Sequence, residues 1–148
     1  VLGQRQEHIL FRFTITARDN AILGLWEPGA PAYEERLAAL RYASQQGFST
    51  SVSIEPMLEA EHVHLLVEEL LPHVSHSIWL GKMNKIKERV SCESAEIEKD
   101  LQRIYNFQSD EMIHFIYERL KHTKHIRWKE SIKKVVGIPL AQESGLDI

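Results

Sequence analysis

The sequence predicts an α/β fold in which strand–helix units repeat around a parallel sheet. Two patterns alternate along the chain: runs rich in β-branched and aromatic residues, and longer segments whose apolar residues recur at helical spacing. Strand–helix–strand order requires crossover connections, and these make neighbouring strands parallel. The 148 residues are 43% hydrophobic and 26% charged, so residues 1–148 are expected to form a single domain with a packed core.

The first predicted unit is a strand followed by a helix. Residues 8–16 (HILFRFTIT) have the composition of a strand. After a loop rich in glycine and proline, a helix is predicted over residues 32–46, with Pro31 at its start and Gly47 at its end. The apolar residues at helical spacing are Tyr33, Leu37 and Leu40.

Two further strands flank a second helix. The pair Glu55-Pro56 closes the first of these strands, and Pro72 stops the helix. The predicted segments are residues 48–54 for the second strand, 61–71 for the helix, 74–80 for the third strand and 81–89 for a basic loop.

Two helices and a short strand are predicted in the remainder of the chain. Ser109, followed by two acidic residues, has the position of a helix N-cap. A fourth strand is expected at about residues 125–129, and the tail after about residue 139 is expected to fray. The third helix is marked by Ile97, Leu101, Ile104 and Tyr105, and the fourth is expected to turn Met112, Phe115, Ile116 and Leu120 inward.

Alternation within the strands predicts a sheet with one apolar face and one polar face. We expect helices to cover the apolar face. The polar face would meet either the lumen of a barrel or bulk solvent, and the alternation fits both. The apolar set is Phe11, Phe13, Ile15, Phe48, Val52 and Ile54, and the polar set is Arg12, Thr14, Thr16, Ser49, Ser51, Ser53 and Glu55.

Composition argues against several classes of protein. A net charge of −3 argues against generic electrostatic adhesion to nucleic acid or membrane. The sole cysteine, Cys92, excludes an intrachain disulfide and suits a reducing, cytoplasmic location. No apolar run reaches the length of a membrane span, and no signal-peptide pattern is visible. His62 and His64 lie two residues apart on a predicted helix and face different directions, so no metal site is predicted.

Polar residues at the carboxyl ends of the strands are candidate ligand-binding residues, because β/α folds bind ligands at that edge. Glu55 could accept a hydrogen bond from a ribose hydroxyl or an ammonium group; a surface glutamate at a turn is the alternative. The basic cluster at residues 82–89 could bind phosphate or a nucleic-acid backbone, or it could be a solvated loop. The candidates are Thr16, Arg18, Ser53, Glu55, Lys82 and Asn84.

Three stretches carry a family resemblance: RFTIT, LWEPGAPAYEERLAALRYASQQGFSTSVSIEPML and SIWLGKMN. In their order and spacing, they resemble the later half of radical S-adenosylmethionine proteins, especially the branch that includes spore photoproduct lyase. The resemblance covers residues 8–90, with a weaker continuation to about residue 135. The matching positions are Thr14, Thr16, Glu27-Pro28, Glu35-Arg36-Leu37, Gly47 and Ile54-Glu55-Pro56.

The resemblance implies part of a (β/α)6 TIM-like barrel, of which this chain would supply roughly the fourth strand onward. It also implies S-adenosylmethionine and a [4Fe-4S] cluster in the intact protein, with neither expected on this chain alone. The family holds its cluster through three closely spaced cysteines after the first strand, and this chain has neither those cysteines nor that strand. By position, the cofactor-binding residues would be Thr14, Thr16, Arg18, Ser53, Glu55, Gly81 and Lys82.

Three functions are compatible with these observations. The first is a C-terminal fragment of a radical S-adenosylmethionine enzyme, inactive alone, whose partner is the missing N-terminal half of the barrel. In that case the first strand lacks a neighbour, and a homodimer through its edge is expected. The second is a stand-alone, non-catalytic binding or interaction module. The third is a small enzyme that uses Glu55 as a general base and Lys82 as an electrophile.

Overall fold

A parallel sheet with strand order β1-β2-β3-β4 forms the centre of the computed structural model, which describes residues 5–84 and 94–143. Each neighbouring pair of strands is parallel, so the predicted α/β class and the predicted strand order are confirmed. The strands are β1 (Leu10–Thr14), β2 (Ser49–Ile54), β3 (Ser77–Leu80) and β4 (Ile126–Trp128). The α-helices in the described ranges are α1 (Asn20–Trp26), α2 (Tyr33–Gln45), α3 (Val63–Leu70), α4 (Ala95–Phe107), α5 (Asp110–Leu120) and α6 (Glu130–Val136). Short 3-10 turns occupy Gln6–His8, Ala60–His62 and Leu71–His73.

Local capping explains where the predicted helices begin and end. Glu34 and Glu35 lie in the first turn of α2, where the helix dipole favours negative charge. Gly47, just beyond α2, has a φ of 82°, a left-handed conformation that glycine adopts without strain. The Ser109 hydroxyl accepts a hydrogen bond from the backbone N–H of Met112 at 3.3 Å, which confirms the predicted N-cap of α5.

Helix α1 lies in a segment that the sequence pattern predicts to be a loop. The Asp19 carboxylate accepts a hydrogen bond from the backbone N–H of Ala21 at 2.7 Å and so caps the helix. Leu23 anchors it in the core. Gly24 stands inside the helix, and its low helix propensity is the reason that the pattern indicates a loop.

The apolar residues that alternate with polar ones along the strands face the helices, as predicted. Ile15, Val52, Ile54, Ile78 and Leu80 are fully buried in the core. The opposite face of the sheet is named the polar face below. It consists of Arg12 and Thr14 on β1, Ser51 and Ser53 on β2 with Glu55 beyond it, Ser77 and Trp79 on β3, and Arg127 on β4 with Lys129 beyond it.

Two aromatic residues that were predicted to be covered are exposed instead. Phe11 is 40% exposed because it lies near the amino end of an edge strand, where its ring contacts Phe48. Phe115 is 58% exposed. The buried side of α5 contains Ile113 and Ile116, and Phe115 is rotated by about 100° from Ile116 around the helix.

Some sequence predictions fall outside the described residues. They are the basic residues that follow Asn84, the cysteine Cys92 and the end of the tail after residue 143. Among the described helices, none combines the length and the hydropathy that crossing a membrane requires.

Strand β1 forms an edge of the sheet, and part of that edge is open. The Ile15 N–H donates to the Ser53 carbonyl oxygen at 3.0 Å, so by strand alternation the N–H groups of Arg12 and Thr14 point away from β2. The Thr14 carbonyl oxygen accepts a hydrogen bond from the Arg36 guanidinium at 3.3 Å. The backbone N–H of Arg12 has no such partner among the described residues.

We expect the chain to form a two-fold dimer through this edge, because an unpaired strand edge favours pairing with another strand. Arg12→Pro removes an outward N–H and leaves the β1–β2 ladder intact, so this variant should remain folded and monomeric. Light scattering over a concentration series measures the association, and circular dichroism checks the fold.

Phe13→Pro is the matched control. The N–H of Phe13 points toward β2, so its removal should break a β1–β2 hydrogen bond and destabilise the fold, unlike Arg12→Pro. A wild-type chain that stays monomeric at about 100 μM, above the micromolar range in which exposed edges associate, would show the dimer prediction to be wrong.

His73 links α2 to the turn before β3. The Arg41 side chain donates a hydrogen bond from Nε to Nε2 of His73 at 3.2 Å, a contact that requires this nitrogen to be unprotonated. Burial and the Arg41 charge lower the pKa of His73 from its ordinary value of 6.5. Burial and the Arg119 charge lower the pKa of His64 in the same direction.

Stability should therefore fall as the pH falls below about 6.5, because the unfolded chain then binds protons that the folded chain excludes. Urea-denaturation midpoints should be lower at about pH 5.5 than at about pH 7.5. Arg41→Gln removes the charge beside His73 and should reduce this difference. His122→Gln, which alters an exposed histidine, should retain the full difference. An undiminished difference in Arg41→Gln would contradict a contribution of the Arg41 charge, and an undiminished difference in His73→Gln would contradict the assignment to His73.

Candidate functional site

Residues that follow β2 and β3 meet in a cleft at the carboxyl edge of the sheet. This cleft, named the Glu55 cleft below, has a volume of about 360 Å³, which lies at the lower end of the range for ligand pockets. Open α/β sheets bind their ligands outside the carboxyl ends of the strands, so the location is the expected one. The lining residues are Glu55, Pro56, Lys82, Met83 and Asn84.

The Glu55 carboxylate faces the ammonium group of Lys129, which follows β4. Oε2 of Glu55 lies 3.7 Å from Nζ of Lys129. The same Nζ lies 5.0 Å from the centre of the Trp79 ring, where the π surface attracts a cation. Lys129 therefore links the carboxylate of the cleft to an aromatic ring on the polar face.

Gly81 allows Glu55 to adopt this position. A Cβ atom at Gly81 would lie 2.7 Å from Cγ of Glu55 and 2.8 Å from both Cδ and Oε1. The requirement for glycine is one of space, because the Glu55 side chain lies directly against the Gly81 backbone.

Two polar side chains hold the loops on either side of the cleft. Gln108, at the end of α4, is buried; its amide nitrogen donates to the Met57 carbonyl oxygen and its amide oxygen accepts from the Met83 N–H, both at 2.7 Å. The Ser131 hydroxyl, in α6, accepts from the Lys82 N–H at 3.0 Å. These bonds satisfy backbone groups of the two loops and fix the width of the cleft.

Lys82 is paired with a residue outside the cleft. Its Nζ lies 3.6 Å from Oδ1 of Asp110, at the start of α5. The hypothesis of a small enzyme uses Glu55 as a base and Lys82 as an electrophile. In the structure these two side chains are not paired with each other: Glu55 faces Lys129, and Lys82 faces Asp110.

Thr16 is engaged in a contact inside the protein. It is only 1% exposed, and its hydroxyl donates to Oε1 of Glu27 at 2.6 Å. The other oxygen of Glu27 pairs with the Arg36 guanidinium. This contact joins the end of β1 to α2 and occupies the Thr16 side chain away from the Glu55 cleft.

Arg18 pairs with a carboxylate on α3. Its Nη2 lies 2.7 Å from Oε1 of Glu69, and the Tyr33 hydroxyl donates to the other oxygen of Glu69. The hydrogen bond from Tyr33, assisted by Arg18, lowers the pKa of Glu69 against the effect of burial. Burial and the Glu69 charge raise the pKa of Tyr33. The carboxylate therefore stays ionised and the phenol stays protonated, as a fixed structural pair.

The remaining predicted residues share the polar face. Thr14 is the register partner of Ser53, Ser53 of Trp79, and Trp79 of Arg127, so these four residues form one row across the sheet. Glu55 lies two residues further along β2, at the end where the cleft opens. Of the predicted cofactor-binding residues, Glu55 and Lys82 line the cleft and Gly81 lies against Glu55, whereas Ser53 is paired with Thr14 and Trp79 in the row behind it.

Four residues of the site were not among the sequence candidates. Alternation in β4, where Ile126 and Trp128 are core residues, could have assigned Lys129 to the polar face. Alternation in β3 gives the same signal for Trp79, since Ile78 and Leu80 are core residues. Sequence gives no comparable signal for the other two, because their roles depend on contacts between distant segments. These two are Gln108 and Ser131.

No group of three or more His, Cys, Asp or Glu side chains that could hold a metal ion occurs in residues 5–84 and 94–143. The chain contains a single cysteine, whereas iron–sulfur clusters are held by several cysteine thiolates. The residues of this chain therefore do not fit a [4Fe-4S] cluster.

Comparisons with models of protein families, with curated proteins and with solved structures gave no match to this chain. The radical S-adenosylmethionine resemblance therefore stays a prediction from the sequence.

Gly81→Ala should destabilise the protein by about 1–3 kcal/mol, because the new methyl group overlaps the Glu55 side chain. In a Glu55→Ala background the same substitution should cost much less, since the three nearest atoms are then absent. Urea unfolding of the four proteins in this double-mutant cycle measures the coupling.

Gly24→Ala is the matched control for Gly81→Ala. A Cβ atom at Gly24 meets no atom within 4 Å, and alanine should stabilise α1 by about 0.5–1 kcal/mol. Equal costs for Gly81→Ala in both backgrounds would contradict the close packing of Glu55 on Gly81.

Proposed function

We propose that this chain forms the later strands of a (β/α)6 TIM-like partial barrel in a radical S-adenosylmethionine enzyme, and that the Glu55 cleft holds part of the cofactor. The observation that carries the proposal is a parallel sheet with one packed face and one polar face. Parallel sheets normally have both faces covered and apolar. A barrel accounts for the polar face, which becomes the wall of a ligand-binding interior.

The edge of β1 supports the same proposal. A preceding barrel strand would pair with the outward N–H of Arg12 and would extend the sheet beside Phe11, which is 40% exposed. The order of the strands agrees with the proposal, since each successive strand lies beside the last and a helix connects β1 to β2 and β2 to β3.

The Glu55 cleft offers groups that suit the polar parts of S-adenosylmethionine. Glu55 can accept hydrogen bonds from an ammonium group or from ribose hydroxyls, and Lys82 can pair with a carboxylate. Asn84 offers both a donor and an acceptor. When bound, the cofactor would supply hydrogen-abstraction chemistry, and these residues would bind and orient it.

The rest of this chain's contribution lies in shaping the cleft. The buried backbone of Gly81 lies against one side of the Glu55 side chain, and the carboxylate stays partly exposed, where a ligand can reach it. The ligands of an iron–sulfur cluster would have to come from another part of the enzyme, because this chain has one cysteine.

The coding sequence that precedes the Val1 codon tests the proposal. We expect three closely spaced cysteine codons in the same reading frame. A start codon directly before Val1 would contradict the proposal and would favour a stand-alone binding module.

The longer product then allows a test of the cleft. Glu55→Gln should weaken S-adenosylmethionine binding by about tenfold, the effect of losing one charge-assisted hydrogen bond. Equilibrium dialysis of the anaerobically purified protein measures this change. Glu118→Gln, an exposed glutamate of α5, is the control and should bind as the wild type does. Unchanged affinity in Glu55→Gln would remove the cleft from the proposed cofactor site.

A further inference from the structure

The polar face carries two arginines for which no described residue serves as a partner. Arg12 lies on β1, where the next residue, Phe13, packs against the core. Arg127 lies on β4 between the core residues Ile126 and Trp128. Both arginines are exposed, and neither forms an ion pair or a side-chain hydrogen bond with any residue in the described ranges.

A buried donor on the same face also lacks an acceptor. Trp79 is 5% exposed, and its indole Nε1 has no hydrogen-bond partner in the described part of the chain. An indole can only donate, and a buried indole N–H normally finds an acceptor. A buried polar atom without a partner requires an explanation, and a ligand that supplies the acceptor is one.

The register of the sheet places Trp79 beside Arg127, with Arg12 on the same face at the opposite edge. Trp79 and Arg127 are directly paired on neighbouring strands, which lie about 4.8 Å apart. Ser53 is the partner of Trp79 on its other side. In the adjacent row, Arg12 pairs with Ser51, whose hydroxyl lies 2.9 Å from that of Ser77.

The balance of charge on this face is positive. Glu55 is the carboxylate among the polar-face residues, and it already faces Lys129 at 3.7 Å. The two arginines and the Trp79 indole N–H are donors that have no acceptor among the described residues, and an acceptor with negative charge would suit them. Arginine in particular suits the oxygen atoms of phosphate and carboxylate groups.

We infer that the polar face binds an oxyanion, a phosphate or carboxylate group, that accepts hydrogen bonds from the Trp79 indole and the Arg127 guanidinium. Arg12 lies on the same face but on the opposite edge strand, and its charge contributes long-range attraction to the same anion. In the barrel proposed above, this anion would belong to the substrate. That last assignment rests on the proposed function, whereas the binding of an anion does not.

Solvated arginines alone would leave the indole unexplained, and the indole therefore provides the direct readout. The chain has three tryptophans, so its ¹H–¹⁵N spectrum should contain three indole signals, and Trp79→Phe identifies the one from Trp79. Titration with inorganic phosphate, and separately with acetate, at constant ionic strength should move the Trp79 signal along a saturable curve. The two arms show which oxyanion the site prefers.

Arg127→Gln should weaken this binding by about tenfold, the effect of one lost charge-assisted hydrogen bond, and Arg12→Gln by less. Arg119→Gln removes an exposed arginine from α5, outside the polar face, and should leave the affinity unchanged. Unmoved signals from Trp26 and Trp128 confirm that each variant is folded.

A Trp79 signal that stays in place at tens of millimolar of both anions would overturn the inference, since even a weak site would then be filled. Equal weakening by Arg127→Gln and Arg119→Gln would also overturn it, because the binding would then follow net charge alone. Either result is independent of the coding-sequence test, so failure of the anion site and failure of the proposed enzyme can be told apart.

Discussion

The arrangement of the Glu55 cleft depends on the backbone of Gly81. Its N–H donates to the Ile54 carbonyl oxygen at 3.2 Å, and its carbonyl oxygen accepts from the Met57 N–H at 3.0 Å. These two bonds join the end of β3 to the loop after β2, so the chain on both sides of Glu55 is held in place. Because Gly81 has no side chain, the Glu55 carboxylate can lie across it toward β4 and meet Lys129. Gly81 therefore determines both the backbone hydrogen bonds at the cleft and the position of the Glu55 side chain.

The polar side chains at the end of β1 contact the neighbouring helices and do not line the cleft. Thr16 donates to Glu27, which also pairs with Arg36, and Arg18 pairs with Glu69. Thr16 is itself buried and its hydroxyl has its acceptor in Glu27, so these contacts satisfy polar groups and join the surrounding helices to the end of β1. The polar groups at this end are consequently occupied in supporting α2 and α3. The groups that line the Glu55 cleft come from the segments after β2 and β3 instead.

The sequence allowed the sheet to be predicted because the information is local. Alternation in β1 and β2 separates the core face from the polar face, and the capping roles of Ser109 and Gly47 depend on neighbours in the chain. Burial was harder to predict: Phe115 has helical spacing with buried residues, yet it lies on the outer side of α5. The partners of Thr16 and Gln108 come from residues 11 and 51 positions away, and no local pattern encodes such contacts. For the same reason strand position predicted the edge of the sheet at which the Glu55 cleft lies, but not that Thr16 and Arg18 have partners elsewhere.

The cleft combines a rigid frame with an ionic contact that a ligand can replace. The loop after Glu55 is held by Gln108 and by Arg103, whose guanidinium donates to the Leu58 carbonyl oxygen at 2.6 Å. Hydrogen bonds from buried groups to backbone carbonyls resist displacement, because a lost partner leaves a polar group buried without compensation. The pair of Glu55 and Lys129 differs, since both side chains are partly exposed and their charged atoms are 3.7 Å apart. Pairs of this kind contribute about 0–1 kcal/mol, so a charged ligand can separate them at little cost while the backbone around them stays fixed.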